Sequence, residues 1–98
     1  MKDLGPLNIL RIPLHTLWES PNIVARIQTE PQQLELGFAK WFARYDTDVQ
    51  QLIIAQLGWA LANPTYDFQS ILKNVKTAND DIITYFAFIR PIFVTHQS

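Results

Sequence analysis

The chain has no cysteine, which excludes a disulfide framework, a thiolate metal site and a cysteine nucleophile, and fits a reducing compartment. Charge is scarce as well. Only 17% of residues are Asp, Glu, Lys or Arg, against about 25% in a typical soluble domain. The formal net charge of -1 and the scatter of basic residues give no electrostatic footprint for nucleic acid or an anionic membrane surface. Gly5, Gly37 and Gly58 are the only glycines and stand alone, so no phosphate-cradling loop can be built from them. Ser20 and Ser70 lack the flanking glycines of a nucleophile elbow. No run approaches the roughly 18 consecutive apolar residues of a membrane-spanning helix. The amino end, Met1-Lys2-Asp3-Leu4-Gly5-Pro6, carries an early acid and makes a poor secretory signal. The expectation is a cytoplasmic chain that neither binds nucleic acid nor inserts into a membrane.

Apolar residues are abundant. They make up 48% of the 98 positions, with three Trp, three Tyr and six Phe, enough for a domain that folds without metal or disulfide staples. One domain over 1–98 is expected, of mainly α class: a small bundle of four to five helices around a central helical hairpin, with short extended terminal segments. Aromatic content this high on a low-charge surface also favours an oligomer or a protein partner.

The hairpin runs from Pro31 to Ala62. At 100° per residue, Leu34, Phe38, Trp41, Phe42 and Tyr45 fall within an arc of about 100°, opposite Gln33, Lys40 and Arg44. In the second arm Val49, Leu52, Ile53, Leu57 and Ala60 form the matching stripe, and Ile54 and Leu61 widen it beyond half the circumference. Thr47 with Gln50, and Thr29 with Gln32, have the spacing of capping boxes, Asp46 and Asp48 suit the positive end of a helix dipole, and Pro31 suits a first turn. Asn63-Pro64 ends the second arm. Helices are expected near 31–46 and 48–62.

Elsewhere the pattern predicts helices near 21–28, capped by Ser20-Pro21, near 67–76, with Phe68, Ile71, Leu72 and Val75 on one side, and near 80–90 after Asn79-Asp80-Asp81. Pro6 and Pro13 make the segment 1–19 read as extended and packed on the bundle, and Pro91 should kink or end the last helix and let 91–94 run extended beside that amino-terminal segment, as a small two-stranded ribbon.

Little in the chain carries chemistry. His15 and His96 have no metal-ligand spacing, and Asp46, Asp48, Asp80 and Asp81 stand where helix starts already account for them. Tyr45 and Tyr66 lie on aromatic patterns where a hydroxyl usually reaches the rim of a core. No catalytic residue, metal or cofactor is expected, and the chain does not read as an enzyme.

Two features exceed simple packing. Gln56 falls near the middle of the second arm's apolar stripe, where an amide needs partners in a core, a pocket or an interface. The back of the same arm, Gln51, Ala55, Gly58 and Ala62, lies at roughly 180° to 240° from Val49 and carries no charge, as does all of the chain from Val49 to Tyr66. Gly58 inside a helix costs up to about 1 kcal/mol relative to Ala, a cost that close approach of another backbone would explain, either the apolar segment Ile82 to Ile89 of the same chain or a second chain. With Trp59 at its rim, this face is the candidate partner-binding surface: Gln51, Ala55, Gly58, Trp59 and Ala62. The functional expectation is a non-catalytic protein-binding module, such as an adaptor, an assembly subunit or a small inhibitor or immunity-type protein, engaging a protein partner or a second copy. The alternatives are a bundle holding an apolar small ligand or lipid and, further off, a nucleic-acid binder using Arg26, Lys40, Arg44, Lys73 and Lys76.

Overall fold

Apolar residues recurring with helical period can be buried only if the segments carrying them coil and share a core, and the chain does this throughout. The computed structural model describes residues 5–97; the reading of the first four residues as a poor signal lies outside them. A 3-10 stretch, Gly5–Leu10, leads into two single-turn helices, α1 (Arg11–Leu14) and α2 (Thr16–Glu19). Then come α3 (Ile23–Thr29), α4 (Pro31–Phe42), α5 (Thr47–Ala62), a 3-10 turn at Phe68–Ser70, and α6 (Asn79–His96). No strand occurs among the described residues. The protein is a small all-α bundle, as the periodicity predicts.

The hub is α6, which packs against α3, α4 and α5 and against the 3-10 turn at Phe68–Ser70. α4 and α5, the arms of the expected central hairpin, each pack chiefly against α6. Its faces explain this role: Ile82, Tyr85, Phe86, Ile89, Ile92 and Phe93 are all buried. Phe93 stacks on Phe42 of α4 with ring centroids 4.2 Å apart, and Phe86 meets Phe68 edge-on at 5.6 Å. Phe42 and Ile53, the expected core residues, are both fully buried.

Four expectations are corrected. The amino-terminal segment 5–19 is helical in short turns rather than extended. Pro13 sits within the single turn of α1, where a missing N–H breaks no intrahelical bond. Leu10, Leu14 and Leu17 are buried at a helical spacing. The carbonyl of Pro13 accepts a 2.7 Å hydrogen bond from the buried Tyr85 hydroxyl, so the segment is fixed to the hub through a side chain far away in sequence.

Residues 67–76 do not form the expected α-helix. Phe68, Ile71 and Val75 are buried as the pattern requires, but after the 3-10 turn the chain winds irregularly through Asn74, whose φ of 67° is left-handed. Carbonyls there accept from distant side chains: Arg11 Nε donates to Ile71 at 2.9 Å and Trp18 Nε1 to Lys73 at 2.8 Å. Gln69 Nε2 donates to the Thr77 carbonyl at 2.6 Å. Long-range donors replace helical N–H groups.

Pro91 neither ends α6 nor starts an extended segment; the helix runs through it to His96. A proline in a helix interior removes one backbone bond and costs about 3 kcal/mol, and the burial of Ile89, Ile92 and Phe93 on either side of it outweighs that. The expected terminal ribbon is therefore absent among the described residues.

Side-chain capping is also not as expected. The N-cap of α5 is Asp46 and that of α4 is Glu30, and neither helix has a side-chain hydrogen bond at its N-cap. Asn79, expected to cap α6, instead accepts the Phe68 N–H at 2.9 Å and donates to the Pro64 carbonyl at 3.0 Å. It holds the loop that follows α5.

Candidate functional site

In α5 the fully buried residues are Gln50, Ile53, Leu57 and Ala60, which lie at roughly 20° to 100° when Val49 is at zero. The stripe that faces the core is thus rotated from the expected one. Leu52, assigned to the core by its apolar character, is 47% exposed, and the polar Gln50 takes a core position instead. An apolar arc wider than half a helix leaves its inward direction undetermined, because hydrophobicity alone does not say which part of the arc meets the neighbours. Only the arrival of α6 and the amino-terminal 3-10 stretch fixes the rotation.

The buried amide belongs to Gln50. Its Nε2 donates to the Phe42 carbonyl at 3.1 Å, and this bond to the end of α4 takes the place of the reciprocal cap expected from Thr47 and Gln50. Gln56 is only half-buried, since the same rotation moves it to the edge of the core, and it lines none of the grooves described below.

The outward side of α5 carries the expected face. Gln51, Ala55 and Ala62 are exposed, Trp59 is 38% exposed, and Leu52 joins them on the same side. Trp59 is not loose: its ring meets Tyr66 edge-on at 5.3 Å and Phe68 at 6.4 Å. The indole therefore stands as a fixed projection backed by the aromatic cluster of the following loop.

Gly58 is half-buried, and what approaches it is a side chain rather than a backbone. A Cβ built there would lie 3.2 Å from both Nε and one terminal nitrogen of Arg90. Arg90, from α6, lays its guanidinium over Gly58 and donates from Nε to the Ile54 carbonyl at 3.3 Å. The glycine makes room for a cation. Gly37, in contrast, has nothing within 4 Å of a built Cβ.

The remaining surface offers shallow grooves. One, of about 380 Å³, lies between Pro31, Gln32 and Glu35 of α4 and Ala87, Phe88, Pro91, Ile92 and Thr95 of α6. Another, of about 270 Å³, is floored by Leu34, Gly37, Phe38 and Trp41, with Thr16, Arg26 and Gln33 around it. Arg26 is engaged within the chain, forming a 2.7 Å ion pair with Glu30 and donating to the Ser20 hydroxyl. No cluster of three metal-ligating side chains occurs among the described residues, and no helix there is long and apolar enough to cross a membrane. The Tyr85 hydroxyl is pushed well above the usual tyrosine range by burial, against the opposing effect of a hydrogen bond with Thr16, and it faces the core rather than a cleft. No protein-family model, curated protein or solved structure matches the chain.

Proposed function

We propose that this protein is a non-catalytic binding module, an adaptor, assembly subunit or small inhibitor or immunity-type protein, that engages a protein partner or a second copy through the outer face of α5. The observation that carries the reading is the exposure of Leu52 and Trp59 on a side of the helix where no residue from Val49 to Tyr66 is charged. A helix side that only meets water normally bears Lys, Glu or Arg. Here Gln51, Ala55 and Ala62 flank two large apolar side chains instead. Small neighbours around a braced aromatic allow close approach with little ordering cost on binding, the usual makeup of an interface anchor. A cytoplasmic setting and the lack of catalysis belong to the same reading.

The test is affinity capture from the source cell with the parent, with Ala55→Glu and with Gln33→Glu as a surface control. A partner retained by the parent and the control but lost by Ala55→Glu supports the reading. Retention by all three sinks it for this face.

A further inference from the structure

We infer that the occupant of the α5 face is a second copy of this chain, packed antiparallel about a two-fold axis with Asp48 of each copy against Arg90 of the other. This rests on the reading of that face as a binding surface and names its partner. The face itself is uncharged between Val49 and Tyr66, and it is bounded by one acid and one base. Asp48, in the first turn of α5, is exposed and lies at about 260° on the helical wheel, between Ala55 and Trp59. Arg90 lies across Gly58 on the flank of the same face. The ion pair among the described residues is Arg26–Glu30, so neither Asp48 nor Arg90 has a charged partner there.

Arg90 has a further property. Its guanidinium offers five N–H donors, and the hydrogen bond found for it uses only Nε. It is half-buried over a helix backbone, a position that strengthens its attraction for a carboxylate relative to a cation in open water. The chain thus holds a cation in place at some cost in helix propensity at Gly58 and leaves most of its donors unused.

An acid in the first turn of α5 and a base laid over Gly58 from α6 are self-complementary under a two-fold axis perpendicular to α5. Asp48 and Gly58 are ten residues apart, about 15 Å along the axis. An antiparallel pair crossing at the level of Ile53 brings Asp48 of one copy over Gly58, and hence Arg90, of the other, twice. Gln51, Ala55 and Leu52 then lie at the crossing, and Trp59 lies beside the start of the opposite helix. A parallel pair would place Asp48 against Asp48 and forfeit both contacts.

Sedimentation equilibrium from micromolar to millimolar concentration tests this, with circular dichroism melts to confirm that each variant is folded. The parent is expected to dimerise, and Ala55→Glu to stay monomeric. Asp48→Arg and Arg90→Glu each place like charges together twice and should weaken the dimer at least about tenfold. Mixing these two variants in equal amounts should restore association, because the heterodimer regains both opposite-charge contacts. If Arg90→Glu does not fold, a double-mutant cycle between Asp48→Leu and Arg90→Leu asks the same question: coupling supports the pairing, and additivity overturns it. A parent monomeric at millimolar concentration overturns the inference while leaving a foreign partner for the face. A dimer indifferent to Ala55→Glu forms elsewhere and overturns it too, as does a mixture that fails to restore association.

Discussion

The side-chain amide of Gln50 donates a 3.1 Å hydrogen bond to the main-chain carbonyl of Phe42, which joins the first turn of α5 to the last residue of α4. Both residues are fully buried. Gln50→Leu keeps the bulk but removes this donor from a carbonyl that still accepts the Tyr45 N–H at 3.1 Å, and the loss of one such bond costs about 0.5–1.5 kcal/mol. Gln56→Leu, at the half-buried edge, should change stability by no more than about 0.5 kcal/mol. Urea denaturation of the two variants checks the ordering.

Ile53→Asp should remove most of the stability of the fold, because it places a carboxylate in a fully buried site and typical domains have only about 5–15 kcal/mol to lose. A melting temperature equal to that of the parent would contradict the packing of α5 on α6.

The two helical glycines should respond unequally to alanine. Gly37 has open space where a Cβ would go, so Gly37→Ala should stabilise by up to about 1 kcal/mol through helix propensity. Gly58→Ala meets the Arg90 guanidinium at 3.2 Å, and displacing it offsets most of that gain. Thermal melts of the pair, in the same buffer, make the comparison.

Tyr85 links stability to alkaline pH. Burial raises its folded-state pKa above the ordinary value of 10.0, so above that pH the unfolded chain releases a proton that the folded chain retains. Stability from this group is complete below pH 10 and declines as pH rises beyond it, by about 1.4 kcal/mol per pH unit. Tyr85→Phe should abolish this component and, by leaving the Pro13 carbonyl without its donor, cost about 1–3 kcal/mol at neutral pH. Urea midpoints of parent and variant between neutral pH and pH 11 provide the measurement.

Pro91→Ala should stabilise, by up to about 3 kcal/mol, because it returns an N–H to the interior of α6. The residue is exposed, so no buried volume is lost. A lower melting temperature would show that the helix needs the proline.

The helical class, the positions of α3, α4, α5 and the first part of α6, and the burial of Phe42 and Ile53 are legible in the residue pattern, because helical period and helix-terminating residues are local properties read over a few turns. The lack of charge from Val49 to Tyr66 is legible there too. The remaining features depend on contacts between distant segments. Carbonyls at 71 and 73 are satisfied by Arg11 and Trp18, more than fifty residues away, which no local propensity registers, and so 68–76 turns where its pattern suggests a helix. Pro91 stays helical because buried neighbours outweigh a local penalty, and the amino-terminal turns are tied by the Tyr85 hydroxyl. The rotation of α5, which buries Gln50 and exposes Leu52, follows from which side α6 occupies. An apolar pattern says that a surface must be covered, but which part is covered depends on elements that meet only when the chain has closed on itself.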